Sequence, residues 1–147
     1  MLSFLPYQKS MLWLLLLLWT PLVWAKTWNV CVNCEHNSIK ETIAIAQAND
    51  TLLVEKGTYR EFEILVDKPL VIRGINYPIV DGEEKGEIFR ITSDHVTLDG
   101  LFVINVGVSY TKDNAAIRVV QSKDFSIQNM VLEQLFFGIY LEKSSHG

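Results

Sequence analysis

Three side chains near the start of the chain could share one chemistry. Cys31, Cys34 and His36 stand in the order Cys-x-x-Cys-x-His within TWNVCVNCEH. Two thiolates three residues apart can grip a single ion, and thiolate with imidazole suits a soft metal such as Cu(I). The same thiols can instead oxidise to a short disulfide, the state that an oxidising compartment favours. Glu35 stands where a haem-attachment motif needs histidine, which excludes that use. His95 and His146 lie beside serine-containing turns, with no further ligand placed near either, and read as turn residues.

Acid–base chemistry on a sugar needs two carboxylates converging on one face, roughly 5–10 Å apart. Asp81, Asp94, Asp99, Asp113 and Asp124 are available. Asp81-Gly82 reads as a turn. Asp99 follows an inward apolar residue by one, so it points outward. Arg73 holds the same beat one repeat earlier and Gln128 one repeat later, which makes an outward Arg/Asp/Gln column with one ion pair. That is no carboxylate pair, and no carboxylate cluster of the kind calcium needs is found. Tyr59, Phe102, Phe136 and Phe137 could stack on a sugar ring, but Phe136 and Phe137 read rather as filling a corner or the core. Met130 falls on an inward beat and reads as core filler. The expectation is no catalytic residue, and a metal site, where there is one, at Cys31, Cys34 and His36.

The elements that must carry these residues follow from composition and rhythm. The chain has 147 residues and a formal net charge of −4, with nearly half its residues apolar, so it is neither disordered nor suited to nucleic acid. No cluster of Lys and Arg follows Ala25. Residues 1–25 carry a basic start at Lys9, an apolar run and a Val-Trp-Ala cleavage site, the form of a signal peptide. The run is shorter than the roughly 20 residues a spanning helix needs, so no stable membrane insertion is expected after cleavage, and the product is exported. In residues 26–50, Ser38-x-x-Glu41 is a capping box that opens a helix of about three turns over residues 38–48.

From residue 51 onward the chain reads as strands of four or five residues broken by Gly, Asn, Asp, Ser or Pro. LVIRG, VTLDG and FSIQN are one pattern: apolar, spacer, apolar, spacer, then Gly74, Gly100 or Asn129, stepping by 26 and then 29 residues. A second series starts at Ile88, Ile117 and Ile139 and ends at Ser93, Ser122 and Ser144, stepping by 29 and then 22. Such periods mark stacked solenoid rungs. The Gly/Gly/Asn beat then reads as a corner turned in the left-handed conformation, which Gly and Asn adopt most cheaply. VGVSYTKDNAA is a polar insertion in one rung. The expected fold is all-β: a right-handed parallel β-helix whose N-terminal end is capped by the helix. GIYLEKSSHG stops just after a strand, so the last of about four rungs is expected to bare its apolar side, as in the N-terminal portion of a longer coil.

These stretches carry a resemblance. SIKETIAIAQANDTLLVEKGTYREFEILVDKPLVIRG, then PIVDG, VTLDGLFVINVGVS and AAIRVVQSKDFSIQNMVLEQLFFGIYLEKS, resemble the start of the NosD family, with GTYRE, DKPLVIRG and FFGIYLEKS the most telling parts. The resemblance implies an exported, periplasmic β-helix of the carbohydrate-binding and sugar-hydrolase type that supports maturation of the copper centre of nitrous oxide reductase. It implies as partners the components of an ABC transporter and the copper reductase itself. The helix-then-GxYxE opening is shared with pectin-active β-helices, so a carbohydrate-binding or carbohydrate-processing protein acting on polysaccharide is the alternative.

Overall fold

The computed structural model describes residues 24–147. The expected signal peptide, residues 1–25, lies outside them except for its last two residues. No helix among the described residues is long and apolar enough to cross a membrane.

The chain winds through three parallel sheets, each full rung giving one strand to each, with β1 as an additional strand at the start of the first sheet. The first sheet stacks β1 (Thr27–Val30), β2 (Thr51–Val54), β5 (Val71–Gly74), β8 (Thr97–Asp99) and β11 (Ser126–Gln128) in that order. The second stacks β3 (Thr58–Arg60), β6 (Ile79–Asp81), β9 (Phe102–Ile104) and β12 (Val131–Glu133). The third stacks β4 (Ile64–Val66), β7 (Phe89–Ile91), β10 (Ala115–Val120) and β13 (Phe137–Glu142). This is the expected all-β parallel β-helix. Alternate residues point inward, so Leu52, Ile72 and Leu98 stack in one buried column, and Ile64, Phe89 and Ile117 in another. On the last rung Ile139 and Leu141 occupy inward beats yet are 47% and 55% exposed, because no further side chains cover them here.

The corner beat aligns as expected: Gly74, Gly100 and Asn129 each follow a registered residue of β5, β8 or β11. The reason differs at one of them. Gly100 and Asn129 have φ of 71° and 52°, but Gly74 does not lie in the left-handed region. The wider corner of its rung is turned by Asn76 and Tyr77, at 58° and 53°. Gly74 is glycine because a Cβ there would collide with the Gly100 carbonyl of the next rung. Three further columns of left-handed residues lie at other corners: Asn105 under Gln134, Gln121 under Lys143, and His95, Asp124 and His146 in one file. None is β-branched, as the steric cost of that conformation requires.

Two further expectations are corrected. Ile117 pairs with Phe89, not with Ile88, so the third sheet steps by 28 residues there and the extra residue is taken up before β11, where the step is 29. Ile88 and Phe89 are both fully buried, so the apolar pattern could not tell them apart. The helix α1 (Ile39–Ile45) has seven residues, two turns and not three. It stops because the Asp50 carboxylate takes the Gln47 amide, while Lys68 Nζ binds the Ile43 and Ala46 carbonyl oxygens, both at 3.1 Å. At its other end Ser38 accepts the Glu41 amide as expected. The reciprocal half of the capping box is replaced: Glu61, from the first rung, accepts the Ile39 and Lys40 amides at 2.9 and 2.8 Å. The helix covers the N-terminal end of the coil with Ile39 and Ile43 buried against it.

Candidate functional site

Residues 31–36 form a tight turn beyond β1, closed by the Cys31 amide donating to the His36 carbonyl at 3.0 Å. Cys31 and Cys34 are joined as a disulfide, with Cα atoms 5.4 Å apart. In that state neither sulfur offers a thiolate. The His36 ring lies edge-on to Trp28, with centroids 5.0 Å apart. Among the described residues no three His, Cys, Asp or Glu side chains converge as a metal-binding group. Reduction would free two half-buried thiols on one turn, and the donor chemistry then suits a soft ion such as Cu(I).

The five aspartates are spent on local structure. Asp81 accepts the Glu83 amide and the Asn105 side chain, at 2.9 and 2.8 Å. Asp94 accepts the Lys123 amide at 2.7 Å, Asp124 turns a corner, and the Asp113 carbonyl binds Arg118. The outward Arg73/Asp99/Gln128 column is present, with Arg73 Nε 3.1 Å from Asp99. The hydrogen bond from Asn129, 2.8 Å, with help from Arg73 and Gln128, lowers the Asp99 pKa against its partial burial. His95 and His146 are turn residues, as expected, His146 Nδ1 lying 3.2 Å from Ser145 Oγ.

The aromatic residues divide. Tyr59 is buried, and its hydroxyl donates to the Val30 or Glu55 carbonyl, at 3.1 and 2.9 Å. Burial is the main reason its pKa is raised. It is therefore core and not a sugar platform. Phe102 is half-buried, and Met130 packs partly buried against the core. Phe136 and Phe137 fill neither corner nor core: they are 49% and 38% exposed and meet edge to face at 4.7 Å.

The GTYRE and DKPLVIRG stretches now have a physical reading. Gly57 leaves room for Val32 and Tyr59, Tyr59 ties the first rung to β1, and Glu61 caps the start of α1. Lys68 caps the end of α1, and the Pro69 carbonyl takes the Asn49 amide. These residues secure the cap.

A further concavity lies elsewhere, on the outer face of the third sheet. Residues 105–114, between β9 and β10, fold over β7 and β10 and wall a cleft of about 480 Å³. Its floor is Glu87, 8% exposed, clamped between Arg90, which reaches Oε1, and Arg118, whose Nε lies 2.9 Å from Oε2. Arg118 also holds the Asp113 carbonyl and stacks 4.5 Å from the Tyr140 ring. Glu63, Lys85, Ser109, Thr111, Lys112 and Asn114 complete the wall. None of this was expected from the sequence. The signal that points to it is Arg90 and Arg118 on one outward beat, 28 residues apart, with Glu87 three residues before Arg90.

Compared with protein-family models, curated proteins and solved structures, the chain matches none.

Proposed function

We propose that the protein is an exported, periplasmic accessory β-helix of the NosD type, supporting assembly of the copper centre of nitrous oxide reductase alongside an ABC transporter, and not itself catalytic. The observation that carries this is where the resembling residues fall. DKPLVIRG leads into and forms β5, PIVDG forms β6, VTLDGLFVIN forms β8 and β9, AAIRVV is β10, and FFGIYLEKS spans β13. The resemblance is thus spread over the coil and its cap. Asp81, Asp94 and Asp99 are engaged in the hydrogen bonds of turns and of the outward column, which supports a non-catalytic reading of those three carboxylates. In this role Cys31 and Cys34, once reduced, with His36 beside them, are the residues that would hold copper, and the copper reductase and transporter components are the partners.

Titration of the protein with Cu(I) under reducing conditions tests the metal arm. Stoichiometric binding that Cys31→Ser abolishes is the expected result. Failure to bind, or binding unchanged in Cys31→Ser, would remove the assigned copper site. One observation favours the second reading, a carbohydrate-binding β-helix: the cleft over β7 and β10 is lined mainly by polar and charged groups of the kind that exchange hydrogen bonds with sugar hydroxyls. Retention on immobilised polysaccharide without Cu(I) binding would move the assignment to that reading.

A further inference from the structure

Asp50 is a buried acid that lies outside both the cysteine turn and the cleft, and it is only 2% exposed. Three donors from separate parts of the chain meet its carboxylate. Oδ1 accepts the Lys26 N–H at 2.7 Å, and Oδ2 accepts the Trp28 indole N–H at 2.8 Å and the Gln47 N–H at 2.9 Å. One carboxylate thus ties the start of β1 to the turn that follows α1. All three donors are neutral groups. The Lys26 side chain is turned onto the Trp28 ring, with Nζ 3.3 Å from its centre.

Lys26 is also the residue that follows the Val-Trp-Ala cleavage site read at residues 23–25. Hydrolysis of the Ala25–Lys26 peptide consumes one water. The C–N bond breaks, a carboxylate leaves on Ala25, and the Lys26 nitrogen becomes the ammonium of a new first residue. That nitrogen already sits 2.7 Å from Asp50 Oδ1. Its place is fixed from the other side as well, because the Lys26 carbonyl accepts the Thr51 amide at 2.9 Å. Cleavage therefore puts a full positive charge against a buried carboxylate with little movement of either. A hydrogen bond between two ions is roughly twice as strong as a neutral one, and a buried carboxylate gains most from such a partner.

The pair bears on the cysteine turn. β1 lies at the edge of the first sheet, paired with β2 alone, and residues 31–36 hang from its far end. Trp28, held by Asp50, is the ring that His36 meets edge-on at 5.0 Å. We propose that cleavage after Ala25 sets the Lys26 α-ammonium on Asp50 as a buried ion pair, which locks β1 and the turn of residues 31–36 to the capped end of the coil. The inference rests on reading residues 1–25 as a removed leader and is independent of the copper and saccharide readings. The other charged groups on the packed elements are the Lys26 side chain and Lys68, whose Nζ holds the Ile43 and Ala46 carbonyls. Both are the same in the two chains compared below, so a difference between those chains reports the new ammonium.

The test exports the full chain into a periplasm and compares it with a variant carrying one Ser inserted between Ala25 and Lys26. In the variant, cleavage after Ala25 leaves the Lys26 nitrogen in a peptide. N-terminal sequencing identifies the first residue of each, and urea unfolding by circular dichroism measures stability. The parent should begin at Lys26 and have an unfolding constant roughly tenfold smaller than the variant's at pH 7. An ammonium paired in the folded chain holds its proton more tightly there. Its contribution is therefore full below about pH 8, where a free α-amine titrates, and is lost as pH rises through the folded value. At the acid end the difference should close as Asp50 protonates, below 3.8. In an Asp50→Asn background the insertion should change stability little. Should Asp50→Asn fail to fold, the pH dependence of the first two chains decides. A parent that begins elsewhere than Lys26 would overturn the leader reading and the proposal with it. A parent that begins at Lys26 but is no more stable than the variant, or whose advantage is unchanged from pH 7 to above pH 9, would overturn the ion pair alone.

Discussion

Gly74 and Gly100 face each other on successive rungs but are glycine for different reasons, and alanine at each separates the two. A Cβ at Gly74 would run into the carbonyl oxygen of Gly100 and come within 2.9 Å of its carbonyl carbon and 2.7 Å of Pro78 Cδ. The first two are backbone atoms held by the pairing of β5 with β8, so relief requires prising apart rungs about 4.8 Å apart. Overpacking against atoms that cannot swing away belongs at the upper end of its usual range, about 3 kcal/mol. At Gly100 the φ of 71° costs alanine about 1–2 kcal/mol, and the new Cβ sits 3.0 Å from the Gly74 oxygen, tight but without collision. Gly74→Ala should therefore be the more harmful change, lowering the melting temperature by roughly 10 °C. Urea unfolding of both variants, followed by tryptophan fluorescence, measures the order directly. A Gly74→Ala protein as stable as the parent, or a Gly100→Ala protein clearly weaker than the Gly74→Ala protein, would show that the rungs do not approach as closely as described.

Two further outcomes follow from burial. Ile117 and Ile139 share an inward column, one fully buried and the other 47% exposed, so Ile117→Ala should cost about 2–5 kcal/mol and Ile139→Ala about 1 or less by urea unfolding. Asp50 is 2% exposed and accepts the Lys26 amide, the Trp28 indole N–H and the Gln47 amide at 2.7, 2.8 and 2.9 Å. Burial works to raise its pKa, but those donors outweigh it and hold the value below the ordinary 3.8. A depressed carboxylate contributes stability that is fully present above its unfolded pKa and lost as pH falls through its folded one. Asn at this position keeps one acceptor atom and turns an N–H toward donors. Asp50→Asn should therefore be weakest relative to the parent near neutral pH, with the gap closing below pH 3.8 in acid-unfolding curves.

Much of the coil was legible in the chain itself, because a β-helix writes its repeat into the alternation of apolar residues. The inward file through Ile72, Leu98 and Ile127, the outward Arg73/Asp99/Gln128 column and the aligned beat at Gly74, Gly100 and Asn129 all follow from spacing. Spacing could not reveal which of two adjacent buried residues, Ile88 or Phe89, meets Ile117, since both are apolar and only the pairing of backbones decides. Nor could it show that Gly74 answers to a neighbouring rung and not to its own φ, or that α1 ends where Lys68 and Asp50 take hold of it. The cleft was hidden for the same reason. Glu87, Arg90 and Arg118 are ordinary charged residues in the linear order, and they become a site only when residues 105–114 fold across two rungs and shut one carboxylate away from water. Local alternation sets which side of a strand is buried; contacts between residues a full turn apart depend on the length of every corner between them, and only the wound chain sums those lengths.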